Sequence, residues 1–441
     1  MVSPFECDVA IVGGGAAGLA AGVELAEAGR RVIVLEARDR LGGRILTKHV
    51  VAPDGPELPP IELGAEFIHG EHVVTWEYLR KAGLATEPVP PRHERREHGR
   101  RASFPDVFAA LAEMLERDLR DGHLDRPVGD LLRERRAAGD DPTVLDAVVR
   151  FIQGFHAADL SRIGTAALRA SEATEEADGE RQFRLAHGYD GLVRALETRL
   201  RRAGGEVTLG VEVTRVQWRT GRAIVETRAA DGVCTAMETP RVIVTVPLGV
   251  LHAPGGAAGA LTIAPEPPGW RRALGCLEVG TVARIVLQFD EPWWNDSGSP
   301  PVFVHGETED FPVWWTTLAR EAPVITGWSG GPAAARLAGL SCAAVTDRAV
   351  ASLAAVFGRS VAELASRVRA AYYHDWSSDP WARGGYSYGG VGAQAACALL
   401  RRPVEHTLYL AGEALVEGRF GTVHAALGDG RRAARAILES D

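Results

Sequence analysis

Asp8-Val9-Ala10-Ile11-Val12-Gly13-Gly14-Gly15-Ala16-Ala17-Gly18 is the stretch on which the fold turns. A short apolar, β-prone run meets three glycines, after which Ala16 to Ala28 has helical composition and Gly29 supplies a stop. Arg31-Val32-Ile33-Val34-Leu35-Glu36 then reads as a second buried strand. Strand, glycine turn, helix and strand form the βαβ unit of a parallel sheet, in which both faces are covered and strands become continuous apolar runs. Each position has a physical job. Gly13 permits the tight turn, Gly15 lets backbone approach a pyrophosphate, and Gly18 lets the helix pack on the strand. The N–H groups of the first helical turn, where Ala17 sits, face the anion. Glu36 ends the second strand 18 residues after Gly18. Its carboxylate can accept from a ribose diol and repels a 2′-phosphate.

A lone glycine fingerprint is weak, so the next residues matter. Ala37-Arg38-Asp39-Arg40-Leu41-Gly42-Gly43-Arg44 brings a second glycine pair and a permanent cation, suited to a second approach to the same diphosphate. That separates FAD from NAD. Further along stand Glu62-Leu63-Gly64-Ala65-Glu66-Phe67-Ile68-His69-Gly70, then Asp375 to Tyr388 with Trp376, Trp381 and Tyr386. Leu410-Ala411-Gly412-Glu413-Ala414 follows, and Gly421-Thr422-Val423-His424 opens an Arg/Ala-rich helix. The N-terminus of that helix suits the pyrimidine side of a flavin, whose reduced form is anionic.

These motifs, in this order, resemble the flavin-dependent amine oxidase family, which includes polyamine oxidases, monoamine oxidases and flavin-dependent histone demethylases. The resemblance implies an α/β fold: a Rossmann-type FAD-binding domain interleaved with an α+β substrate-binding domain. It covers nearly the whole flavin domain and only loosely the substrate lobe. It places Gly64 and Ala65 beside the flavin, the backbone of Val213 at the adenine, and Glu413 at the ribityl or ribose hydroxyls. Tyr386 matches an aromatic position that orients the amine, with Trp376 and Trp381 nearby and Thr422 at the second position of that cage. Monoamine oxidases carry at position 386 the cysteine that bonds the flavin, so Tyr386 implies noncovalent FAD, released by acid precipitation. His69 matches a substrate-facing position of animal-type and fungal polyamine oxidases. Glu66 is a candidate partner for a substrate ammonium, and His156 and Asp159 for the cavity lining. Arg284 stands where the family has a lysine that holds a water against flavin N5. Arginine cannot readily lose its proton, so oxygen reactivity or the electron acceptor is open here, as is a role in binding an anionic substrate group.

At 441 residues two lobes are expected. Strand candidates at Glu206–Gly210, Val242–Val246 and Leu408–Ala411 complete the first sheet, giving a FAD-binding domain of residues 1–85, 187–264 and 376–441. Residues 86–186 (helices near Val107–Asp121 and Val128–Ala138) and 265–375 (strands at Val282–Phe289 and Val324–Trp328, a helix near Ala343–Val356) are assigned to the substrate lobe. Pro53–Pro60 and Glu87–Arg101, rich in Pro, Arg and His, read as exposed connections.

Hydrophobic residues are 46% and charged residues 24%, ordinary for a globular chain. A net charge of −9 leaves no footprint for nucleic acid. Cys7, Cys234, Cys276, Cys342 and Cys397 are scattered, so reduced thiols, no metal site and a cytoplasmic location are expected. The first strand begins within ten residues of Met1, and neither a secretory leader nor a membrane anchor is expected. Lysine occurs only at positions 48 and 81, a skew typical of a GC-rich, bacterial coding sequence. The partners expected are a small-molecule amine and O2 or another electron acceptor, and a homodimer stays open. Competing readings are an amine dehydrogenase, an L-amino-acid oxidase, a carbon–carbon desaturase or protoporphyrinogen-type oxidase, and a flavin-retaining chromatin module. The first keeps the amine and changes only the acceptor. The second lacks an arginine after Gly64-Ala65, the third conflicts with the segment ending at Tyr388, and the last lacks room for a helical tower.

Overall fold

The computed structural model describes residues 6–50, 58–97, 99–103, 106–178, 181–294, 302–316 and 322–440. A five-stranded parallel sheet runs in the order Glu206–Thr208, Val32–Leu35, Val9–Val12, Val242–Val244, Leu408–Leu410. Ala10 lies opposite Val242 on one side and Ile33 on the other. Parallel strands end at one edge, so Gly13, Thr245 and Gly412, far apart in sequence, arrive at the same place.

Helices Ala16–Glu27 and Val423–Leu438 pack tightly together beside this sheet. A methyl group at Gly430 would fall 2.1 Å from the Ala17 carbonyl oxygen, which fixes how near the two helices come. The sheet therefore combines the N-terminal, middle and C-terminal parts of the chain.

The second large sheet has seven strands, ordered Val368–Tyr373, Val282–Phe289, Val324–Gly330, Val313–Thr316, Phe303–His305, His93–Glu97, Arg100–Ala102. The last two correct the reading of 87–101 as an exposed connection, as does Thr86–Val89, which pairs with Gln182–Leu185. Their charge hid them. Arg96 pairs with Glu94 and sets its guanidinium 4.5 Å from the Phe357 ring centre, so charged side chains do the covering that alternation normally assigns to apolar ones. Residues 53–57 lie outside the described residues, but Leu58, read as part of the same loop, is buried with Ile61, Leu63 and Val286.

Four helices, Val107–Arg120, Val128–Ala137, Pro142–Phe155 and Thr165–Asp178, form the cap. Asp106 and Asp141 accept from the Ala109 and Thr143 N–H groups at 3.0 and 2.8 Å and so start the first and third of them. Leu111, Leu115, Leu131, Leu145, Val148 and Ile152 build its core. The cap meets the mixed sheet at Gly330, where a methyl group would lie 2.2 Å from the Gly154 carbonyl oxygen. No helix among the described residues is long and apolar enough to cross a membrane.

Candidate active site

A cavity of about 1920 Å³ runs from the glycine turn, past Gly64 and Tyr386, to the cap. Of the residues expected at the site, Gly18 and Asp159 do not line it. A methyl group on Gly18 would sit 2.0 Å from the Gly13 carbonyl oxygen, so this glycine serves helix-on-turn packing and is not a ligand contact. Gly15 is the opposite case: its Cβ position has no atom within 4 Å and opens into the cavity. Gly43, with φ +59°, backs onto Gly15, its Cβ position being 3.4 Å from the Gly15 Cα. Ala17, Ala37, Ala65 and Val213 contribute wall.

Glu36 accepts from the Gly14 and Arg38 N–H groups at 2.8 and 2.9 Å. It therefore shapes the turn, and each oxygen keeps a lone pair for a ribose hydroxyl. Arg38 reaches Asp379 at 2.7 Å and lies 5.5 Å over Trp381. Burial works against ionisation of Asp379, but bonds from His374 and Arg38 prevail and hold its carboxyl well below the usual range. The Trp381 indole N–H is buried with no hydrogen-bond acceptor among the described residues, and the residue lines the cavity.

Arg44 and Glu413, both in the cavity wall, also hold each other. Arg44 pairs with Glu413 at 2.9 Å and donates to the Gly385 carbonyl at 2.8 Å. Glu413 in turn takes the Ser387 hydroxyl and, at 2.7 Å, the Gly421 N–H. The pair ties the second glycine loop to the C-terminal motif, and Glu413 Oε1, in ionic contact with Arg44, accepts no hydrogen bond among the described residues.

Thr422 caps the last helix, accepting from the Ala425 N–H at 3.3 Å and donating to the Arg419 carbonyl at 2.8 Å. The N-terminal end of that helix, with Val423, faces the cavity. The ring parallel to Tyr386 is Trp328, with centroids 6.2 Å apart and planes 7° from parallel, and Thr422 lines the same cavity. Nothing in the sequence pointed to Trp328, which reads there as part of a buried strand 58 residues away. Both rings are anchored by the end of one cap helix: Tyr386 donates to the Phe155 carbonyl, and Trp328 to that of Gly154 at 3.0 Å. Trp376 donates to Leu63 at 2.8 Å and packs with Ala382 and Val282. His69 lines the cavity 6.3 Å from the Phe67 ring. His156 lines it too, tied to Glu172 at 3.1 Å, whereas Asp159 caps Ser161 and does not reach it.

Arg284 is buried, donates to the Gly64 carbonyl at 2.8 Å, pairs with Glu66, and lies 5.2 Å over Trp315. Glu66 also meets Arg184 at 2.6 Å and takes the Trp315 N–H at 3.0 Å. Burial alone would raise the Glu66 carboxyl, yet Arg184 and Arg284 hold it below the usual range. With every oxygen occupied, Glu66 is not a seat for a substrate ammonium. Arg284 in turn is fixed by three contacts.

Nearby Glu62 is pushed up to about 7 by burial, against bonds from Thr47 and the Tyr189 N–H, both at 2.7 Å. A raised carboxyl costs stability as it ionises: the folded chain binds the proton more tightly, so stability falls as pH rises from the unfolded value of 4.5 to about 7. Glu62→Gln is expected to remove that fall, gaining up to ~3 kcal/mol at pH 8 and little at pH 4. Denaturant midpoints at the two pH values check it, and a parallel offset would exclude the titration.

The sequence matches the family described as flavin containing amine oxidoreductase over residues 16–438. It is 28% identical to polyamine oxidase 4 of Oryza sativa subsp. japonica over 97% of this chain and 87% of that one. Putrescine oxidase bound to putrescine shares the fold with a TM-score of 0.78 and 22% identity, over 98% and 99% of the two chains. Cyclohexylamine oxidase from Brevibacterium oxydans IH-35A does so with a TM-score of 0.80 and 20% identity, over 99% of each.

Proposed function

The chain belongs to the flavin containing amine oxidoreductases, and on that premise we propose that it oxidises a primary or secondary amine to an imine, which water hydrolyses, with O2 as electron acceptor. Bound FAD supplies the hydride acceptor for the α-carbon of the amine. The residues fit that group: an open glycine at 15, an acidic strand end at 36, and a helix N-terminus at 422–423 all face one cavity. The observation that carries the reading is the parallel pair Tyr386 and Trp328, which continues the flavin-side wall toward the cap. Such faces attract an alkylammonium and suit the neutral amine that must react. Burial pushes the Tyr386 hydroxyl above its ordinary range, so Tyr386 positions the substrate and does not act as a base.

A second reading, with another electron acceptor, rests on Arg284, which bonds Gly64 and Glu66 and stands where the family has a lysine. The test is anaerobic mixing of the yellow holoenzyme with amines, then admission of oxygen. Bleaching followed by stoichiometric peroxide supports the oxidase. Bleaching with slow reoxidation favours the other acceptor, and a flavin inert to every amine sinks both.

A further inference from the structure

The cavity continues beyond Tyr386 into an arm that the motifs do not account for. Phe155, 43% exposed, stacks on Phe151 with centroids 5.3 Å apart and planes 11° from parallel. Phe151 meets Phe108, itself 61% exposed, edge-on at 5.1 Å. His156 stands edge-on to Phe151 and Phe155 at 5.5 and 5.3 Å. All four line the cavity, with Ala112, Leu115 and Ala147 between them. Two large exposed aromatic rings in one continuous ladder are costly to leave in water and mark a binding surface.

Carboxylates and arginines both line the arm, and Glu175 acts electrostatically on Tyr386. Glu172 is held by His156 at 3.1 Å, Asp106 is spent on its helix cap, and Glu307 pairs with Arg95 at 2.8 Å and lies 3.5 Å from Arg150. Glu116 and Glu309 stand on the exposed rim, where Arg336 also opens. Between these mixed charges, an apolar ring finds the faces and edges of the ladder. The ladder also joins the reacting end directly, because the Phe155 and Gly154 carbonyls hold Tyr386 and Trp328.

Resting on the amine-oxidation reading, we propose that the Phe108–Phe151–Phe155 ladder selects amines whose far end is an apolar, aromatic group over simple alkylamines. Stacking places that group against Phe155 and Phe151, and the nitrogen reaches Tyr386 and Trp328.

The test uses holoenzyme, anaerobic stopped-flow and three amines of equal chain length: n-butylamine, 4-phenylbutylamine and 1,4-diaminobutane. Phenylbutylamine is expected to half-saturate flavin reduction at a concentration at least tenfold below that of n-butylamine, with the diamine as the charged control. Phe155→Ala, which keeps the backbone carbonyl, is expected to raise that concentration about tenfold for phenylbutylamine alone, with the limiting rate within twofold. Phe108→Ala, farther out, gives a smaller rise of the same sign and guards against a folding artefact. The inference falls if n-butylamine and the diamine reduce the flavin and the phenyl group brings no advantage, or if Phe155→Ala shifts all three equally. Reduction by none of the three overturns the amine reading itself and takes the inference with it.

Discussion

Gly15→Ala is expected to give a chain that folds almost as stably as the parent and binds FAD at least ~100-fold more weakly. At this position φ is −80°, which alanine adopts freely, and the added methyl meets no protein atom within 4 Å. It enters the space where backbone N–H groups must approach the pyrophosphate, and ~100-fold corresponds to about 2.7 kcal/mol. The apoprotein loses only the small preference of a helix start for glycine over alanine, within about 1 kcal/mol. Gly18→Ala, three residues on, inverts the pattern. Its methyl would lie 2.0 Å from the Gly13 carbonyl oxygen and 2.9 Å from the Thr245 hydroxyl. Neither neighbour is a flexible chain end, so the helix must shift at a cost of about 1–3 kcal/mol or more. Thermal unfolding of the two apoproteins, with flavin titration of each, separates the cases. Equal loss of stability and affinity in both variants would mean that Gly15 is also a packing glycine.

Glu66→Ala is expected to destabilise the protein by about 3–5 kcal/mol, because it leaves the buried Arg284 and the half-buried Arg184 without their shared carboxylate. Adding Arg284→Met is expected to recover part of that loss, since the two positions couple. Denaturation midpoints of the two single variants and the double variant test it, and simple additivity would refute the coupling. The depressed carboxyl of Glu66 adds a pH signature. Its stabilisation is present above the unfolded carboxylate value and is lost as pH falls through the lower folded value. Arg284→Lys leaves one compact charge in place of a fork that reaches Gly64 and Glu66 and stacks on Trp315. Reduced enzyme carrying this change is expected to reoxidise about tenfold faster in oxygen. An unchanged rate would remove Arg284 from any account of the electron acceptor.

The flavin half was legible because its chemistry is local. A turn that must bend, admit a pyrophosphate and start a helix needs glycines at set intervals, so residues 13–18 declare it wherever they occur. The same holds for Thr422, whose cap and free N–H groups lie within four residues of each other. Strands His93–Glu97 and Arg100–Ala102 escaped because arginine stems covered what apolar alternation usually covers, and a charged run then looks like a loop.

By itself the sequence determined the parallel nucleotide sheet, the FAD-directed glycines and the aromatic position at 386, since each depends on neighbours along the chain. Only the tertiary structure decided who faces whom across it. Glu66 became the clamp on Arg284, Arg44 the partner of Glu413, and Trp328 the ring beside Tyr386, through contacts spanning 218, 369 and 58 positions. Such pairings are set by how the cap and the two sheets close on one another, and sequence spacing carries no record of that closure.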